Sequence, residues 1–242
     1  MNNCKNCNEP INGNYCSNCG QPAKLKRIDR HYIIQEMGDF LFANKGMVYT
    51  IKKILISPGK SVRQFIVEDR FRFVKPITFL FITSLAYTLV CYLFNIGVED
   101  YYLQPLPEEM DFPTMNLLMN WITNYSGYTS IISGLFVAFF IKWFFRKSGY
   151  NIFEIFILLC FVSGISALFS CVVVVIHSIT HFSLIHISAI ISMIYYAWAI
   201  GQFFNRKRAA DYIKAFLACF LGYVFFGFLV AFVAFFIDMI IR

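Results

Sequence analysis

Four cysteines near the start of the chain have the spacing of a metal site. They form the motif Cys4-x2-Cys7-x8-Cys16-x2-Cys19. Each Cys-x-x-Cys pair can place two sulfurs on one side of a tight turn, and two such turns facing each other enclose a metal ion in a tetrahedral thiolate cage. A module of this size has almost no hydrophobic core, so the bound metal would supply most of its folding free energy. The motif therefore predicts a zinc-ribbon module over residues 1–22, with these four cysteines as the ligands of a structural zinc ion.

The same cysteines could instead bind iron, form disulfides or carry out redox chemistry. Disulfides are rare in the reducing cytoplasm, where the charge pattern described below places this end of the chain. A redox-active Cys-x-x-Cys needs a thioredoxin-like fold around it, and the sequence lacks the pattern of one. Four protein ligands leave no open coordination position, so catalysis by this metal is not expected.

Other residues whose side chains could bind a metal or transfer protons lie beside or within apolar segments. His177, His181 and His186 bracket one short link, where they would bind a metal, relay protons or be solvated at the membrane interface. Lys142 and Glu154 lie near the ends of apolar segments, close enough to the interface to pair or to reach water. We find no Ser-His-Asp set, no His-Glu-x-x-His and no paired intramembrane aspartates, so no catalytic residue is predicted and an enzyme is not favoured.

The segments that carry these residues are mostly apolar. Hydrophobic residues make up 58% of the chain, against about 45–50% in an average soluble domain. A helix that crosses the hydrocarbon core, about 30 Å thick, needs about 20 consecutive apolar residues. The sequence therefore predicts an all-α polytopic membrane protein with its transmembrane helical domain over residues 76–242. The five predicted spans are residues 76–96, 127–145, 152–176, 184–204 and 215–237.

Charge alternates between the links that join these spans. Residues 1–75 hold 13 of the 21 Lys and Arg, whereas the links after the first and third spans have none. Because cytoplasmic loops are enriched in Lys and Arg, the N-terminus is predicted to be cytoplasmic and the C-terminus extracytoplasmic. No secretory signal peptide precedes the cysteines, which agrees with this orientation. We assign the net charge of +7 to contact with the lipid bilayer, and nucleic acid is not an expected partner.

Residues 23–75 are predicted to form a basic linker followed by amphipathic juxtamembrane helices. Apolar residues recur at helical spacing over residues 33–41 and again over residues 47–55. These helices are too short and too polar to span a membrane. They would lie on the inner leaflet or pack against the cytoplasmic ends of the spans, and both could hold. Ser57 and Pro58 would end the second helix and start a third, as its N-cap and first residue.

The string Gly59-Lys60-Ser61 has the ending of a phosphate-binding loop. That motif requires a glycine at position 54, which is Ile54 in this chain. No buried strand precedes the string either. A nucleotide site is therefore not predicted here.

Three motifs occur in order over roughly the first 90 residues. They are the knuckle Tyr15-Cys16-Ser17-Asn18-Cys19-Gly20, the turn Ser57-Pro58-Gly59, and the run Asp69-Arg70-Phe71-Arg72-Phe73 that leads into Lys75-Pro76. Together they resemble an uncharacterised bacterial family of zinc-ribbon, multi-pass membrane proteins, known only as a domain of unknown function. The resemblance implies the architecture described above and a location in the bacterial cytoplasmic (inner) membrane. It implies no activity.

The leading functional hypothesis is a binding, scaffold or regulatory membrane protein. Its zinc module would dock a cytoplasmic protein partner or cap the inner face of the helix bundle. The alternative is a transporter or channel for a small or lipidic solute, which would need a continuous polar path through the bundle. A third hypothesis, an enzyme acting on a lipid-linked substrate, would use His177, His181 and His186.

Overall fold

The computed structural model is almost entirely helical over the residues that it describes. These are residues 2–4, 7, 9–11, 13–20, 22, 30, 46–68, 70, 72–96, 113–180, 184–204 and 208–241. The exception is an antiparallel two-stranded ladder between β1 (Asn2–Asn3) and β2 (Pro10–Ile11). The helix predicted over residues 33–41 and the imidazole of His181 lie outside the described residues.

Two short helices, α1 (Met47–Ile56) and α2 (Pro58–Val67), form a hairpin before the first long helix. Ser57 separates them and Pro58 is the first residue of α2, as predicted. The Ser57 side chain makes no capping hydrogen bond, however. The backbone N–H of Lys60, which such a cap would satisfy, instead donates to Gln202 Oε1 at 3.3 Å. The start of α2 is therefore capped from a distant helix.

The other helices are α3 (Pro76–Leu93), α4 (Pro113–Asn124), α5 (Ser126–Phe144), α6 (Ile152–Thr180), α7 (Ile185–Phe204) and α8 (Ala209–Ile241). Five of these, α3 and α5 to α8, are long and apolar enough to cross a membrane. Each overlaps one predicted span. Helices α6 and α8 extend beyond the spans drawn from the sequence. With 29 residues α6 is about 44 Å long, more than the thickness of a hydrocarbon core.

The core is concentrated at one end of the bundle. Every residue of α6 from Glu154 to Ser166 is buried, because α1, α2, α3, α5 and α7 all pack around this half of the helix. We call this end, formed by Pro76, residues 145–151 and Phe204, the hairpin end. The aromatic side chains there pack closely, and the rings of Phe145 and Phe204 are stacked with centroids 4.1 Å apart.

Two glycines allow neighbouring helices to approach closely. A Cβ on Gly164 would lie 2.5 Å from the Phe79 ring, and one on Gly222 would lie 2.7 Å from Val137 Cα. The absence of a side chain at these two glycines therefore allows the helices to pack closely. Helix α8 differs from the others, because only 11% of its most apolar window is buried. Most residues of this apolar window are therefore not buried against other helices.

The α1–α2 hairpin packs on the bundle itself. Ile54, Val62 and Phe65 have at most 1% of their surface exposed. The Phe65 ring lies edge-on to Phe161 of α6, with centroids 5.3 Å apart, and the Tyr195 hydroxyl of α7 donates to the Ile54 carbonyl at 2.9 Å. Of the two placements predicted for this stretch, contact with the ends of the bundle is therefore present.

Candidate metal centre

The four predicted ligands come together in the structure. The sulfurs of Cys4, Cys7, Cys16 and Cys19 all lie within 4.8 Å of one another. Two close pairs join the two knuckles, since Cys4 Sγ is 3.5 Å from Cys19 Sγ and Cys7 Sγ is 3.5 Å from Cys16 Sγ. All four are free thiols. Within the part of the chain that the structure describes, they are the only group of three or more potential ligands arranged in this way.

Local hydrogen bonds shape each knuckle. The β1–β2 ladder flanks the first, where the Cys4 N–H donates to the Glu9 carbonyl at 2.8 Å. A β-bridge between Tyr15 and Pro22 closes the second knuckle. Within it, the Gly20 N–H donates to the Cys16 carbonyl at 2.9 Å. Gly20 adopts φ +73°, a left-handed conformation that favours glycine. The sequence thus folds two tight turns that aim their sulfurs at one point.

The spacing of the sulfurs suits a tetrahedral metal. A zinc ion bonded to four thiolates at about 2.3 Å places neighbouring sulfurs about 3.8 Å apart. The observed separations, from 3.5 Å to at most 4.8 Å, bracket that value. Cys4 and Cys16 are buried, which limits access of water to the cage. The four cysteines could therefore hold a metal ion with no coordination position left open.

Proximity of the thiols also affects their titration. The pKa of the Cys7 thiol is raised to about 11: a hydrogen bond with the Glu9 backbone lowers it, but desolvation and hydrogen bonds with Cys16, Cys19 and Cys4 outweigh that effect. At neutral pH this thiol is protonated while the cage holds no cation. A metal ion that binds here must displace its proton.

The two ionisable residues predicted at span ends have structural partners. Lys142 Nζ donates to the Tyr150 carbonyl at 2.6 Å. Glu154 accepts the Asn151 N–H at 2.7 Å, and the Asn151 side chain accepts the Glu154 N–H at 2.8 Å. That reciprocal pair is a capping box at the start of α6. Of the two alternatives predicted for these residues, pairing or reaching water, both residues have hydrogen-bond partners in the structure, and the buried Glu154 caps a helix.

The predicted histidine trio is only partly described. His177 lies in the last turn of α6 and His186 at the start of α7, both half-buried. His181 lies outside the described residues, so a three-histidine site stays a prediction.

A hydrogen bond joins two side chains of α6 and α7 within the bundle. The hydroxyl oxygens of Ser163 and Tyr196 lie 2.6 Å apart.

One polar residue was missed by the sequence analysis. Asp238, near the end of α8, is buried, with 8% of its surface exposed. Its Oδ1 accepts both the backbone N–H and the hydroxyl of Thr114, at the start of α4. In the sequence, Asp238 is a single carboxylate within an apolar run, which could have indicated a buried polar contact. The predicted span over residues 215–237 stopped one residue before it.

Fold and site together define a chain with five helices compatible with a multi-pass membrane protein and a four-cysteine centre that could hold a metal. Residues 44–88 match the model of a family described as a protein of unknown function (DUF3667). The match covers the α1–α2 hairpin and most of α3, including the Ser57-Pro58-Gly59 turn, and it leaves the cysteines outside. Comparisons with curated proteins and with solved structures found no match.

Proposed function

We propose that this chain is a binding or regulatory protein of the bacterial inner membrane whose cytoplasmic four-cysteine module, folded around structural zinc, docks a cytoplasmic protein partner. The observation that carries the proposal is the convergence of the four cysteine sulfurs within 4.8 Å. A closed thiolate cage stabilises a small recognition surface and offers no position for substrate. Its role is therefore to present that surface.

Charge supports the orientation. The hairpin carries several cations, among them Lys52. The same end of the bundle carries four more, which are Arg146, Lys147, Arg208 and Lys214. Lys and Arg accumulate on the cytoplasmic side of membrane proteins. The cysteines would then lie in a reducing compartment, which favours metal binding over disulfides.

Substitution of single ligands tests the metal. We expect the full-length protein, purified in detergent, to contain one zinc per chain by elemental mass spectrometry, and Cys4→Ser and Cys19→Ser to contain less than a tenth of that. Cys91→Ser, which removes a thiol from α3, is the matched control and should retain zinc. Equal zinc content in all four proteins would rule out this site.

Crosslinking in intact cells tests the docking role. A partner crosslinked to the wild-type protein and to Cys91→Ser should be lost when residues 1–22 are deleted, and also in Cys16→Ser. If every crosslinked partner survives both changes, the module has no docking role.

Reporter fusions test the orientation. A reporter that is active only in the cytoplasm should be active when it is fused to the N-terminus. Activity there of a reporter that works only outside the cytoplasm would contradict the orientation.

A further inference from the structure

A basic cleft lies between α1 and α2 at the hairpin end, with a volume of about 1020 Å³. Its described lining includes four cationic side chains and one carboxylate, Glu68. The cations are Lys52 and Lys53 from α1 and Lys60 and Arg63 from α2. Such a concentration of one sign of charge in a concave surface focuses the electrostatic potential and attracts anions.

The cations converge because the opposite faces of both helices are buried. Ile54 in α1 and Val62 in α2 are fully buried against the bundle, so the polar faces of the two helices line the cleft. The helices are also joined to each other, since the Ser61 hydroxyl donates to the Lys53 carbonyl at 2.9 Å. The backbones that carry the charges are therefore held in place before any ligand binds, which lowers the entropic cost of binding.

A hydrogen bond to α7 orients the Arg63 side chain. One guanidinium nitrogen, Nη2, donates to the Gln202 carbonyl of α7 at 3.2 Å. A guanidinium has five N–H donors, so this bond leaves others that can form a bidentate pair with a phosphate. Arg63 also lies close enough to Tyr150 to influence it: burial raises the pKa of the Tyr150 phenol, and Arg63 opposes that rise. The guanidinium and the neutral phenol thus face the same space.

The cleft does not work as a phosphate-binding loop. A Cβ on Gly59 would lie 2.3 Å from the backbone nitrogen of Phe203, so the start of α2 is pressed against α7. The Lys60 N–H is already bonded to Gln202. Recognition must therefore come from the side chains, and the glycine serves close helix packing.

We propose that this cleft binds a phosphate group carried by an amphiphilic or soluble anion. The rim is apolar next to the cations, with Ile56 61% exposed and Val67 57% exposed, which suits the acyl or glycerol part of an anionic lipid. The lipid source rests on the orientation proposed above, because only cytoplasmic placement puts the cleft at the inner-leaflet headgroups. A soluble phosphoester is recognised by the same charges and does not depend on that orientation.

A matched pair of variants tests the cleft. The triple variant Lys52→Gln/Lys53→Gln/Lys60→Gln removes exposed cations from the cleft and leaves Arg63 in place. The control Arg146→Gln/Lys147→Gln/Lys214→Gln removes the same number of exposed cations from the same end of the bundle, outside the cleft. Melting temperatures of both, measured in detergent, should stay close to the wild type.

Two arms identify the source of the phosphate. In the first, native mass spectrometry of the full-length protein measures binding of phosphatidylglycerol against phosphatidylcholine. In the second, calorimetry in neutral detergent measures binding of inorganic pyrophosphate. We expect the cleft variant to bind at least about tenfold more weakly in one arm or both, with less than about threefold loss in the control. Absence of wild-type binding in both arms, equal losses in the two variants, or an unaffected cleft variant would each overturn the proposal. Failure of the zinc or docking experiments would leave this result standing.

Discussion

Side chains accept hydrogen bonds from N–H groups at the starts of three helices in this protein. The first N–H groups of a helix lack partners within it, and each must find one elsewhere. Asn151 and Glu154 supply them for α6, Asp238 for α4, and Gln202 for α2. Of these, only the capping box has a local sequence signal, an Asn followed three residues later by Glu, which our sequence predictions did not include. The other two join residues more than 120 positions apart and could not be predicted from local patterns.

The capping box of α6 makes a direct prediction. Asn151→Ala removes the side-chain acceptor of the Glu154 N–H, and we expect it to lower the free energy of unfolding by about 1 kcal/mol. Asn151→Ser restores an N-cap oxygen and should recover most of that loss. Thermal unfolding of both variants in one detergent checks this. Equal stability of the alanine variant and the wild type would contradict the assignment.

Asp238 should control the order of α4. Asp238→Ala leaves the Thr114 N–H and hydroxyl without their acceptor, so the start of α4 should loosen from α8. Hydrogen exchange measured by mass spectrometry should be at least about fivefold faster at the start of α4, for a loss of about 1 kcal/mol. Asp211→Ala, at the other end of α8, is the control and should leave exchange in α4 unchanged. Unchanged exchange in Asp238→Ala would show that the carboxylate does not hold α4.

The cysteine cage predicts a pH dependence. Because the metal-free Cys7 thiol has its pKa raised to about 11, zinc must displace its proton across the whole accessible pH range. Apparent zinc affinity should therefore rise with pH and fall on acidification, by about tenfold per pH unit for each thiol deprotonated. Competition with a chelator of known affinity between pH 6 and 8 measures the slope. An affinity independent of pH would exclude thiolate ligands.

At the level of elements, the α1–α2 hairpin contains the amphipathic stretch predicted over residues 47–55 and packs on the bundle. Its apolar periodicity was clear in the sequence, but an apolar helix face fits a lipid surface and a protein groove equally well. The docked placement depends on residues far along the chain, such as Tyr195 and Phe203. The family match over residues 44–88 covers this hairpin. The Ser57-Pro58-Gly59 turn lies at its tip, where α2 meets α7.

The close approach of α2 to α7 predicts an intolerant glycine. Gly59→Ala would place a Cβ 2.3 Å from a backbone nitrogen that cannot move aside. The two helices must separate, and we expect a loss of about 1–3 kcal/mol. Gly227→Ala is the matched control, because nothing lies within 4 Å of a Cβ added there on α8. Denaturation in detergent should leave that control at or above wild-type stability. Equal behaviour of the two variants would contradict the docked hairpin.

For the whole molecule, hydropathy alone predicted the number of apolar helices, because a crossing segment must be continuous and about 20 residues long. Helix ends were less predictable: α6 and α8 continue beyond the predicted spans through polar residues such as His177, Thr180 and Asp238, because helical hydrogen bonding persists there. The distribution of packing was not predictable either. The core lies at the hairpin end, where seven helices contribute buried residues, and most of the apolar window of α8 is not buried in the structure. Close contacts at Gly164 and Gly222 bring neighbouring helices together at two points of the bundle, and the transporter alternative stays a hypothesis.

X-ray absorption at the zinc edge, measured on the full-length protein extracted from membranes, would identify the metal and the ligands that surround it. We expect one zinc per chain with four sulfur neighbours at about 2.3 Å, from the cage of Cys4, Cys7, Cys16 and Cys19. A membrane-extracted protein without zinc, or zinc surrounded by nitrogen and oxygen, would contradict the account.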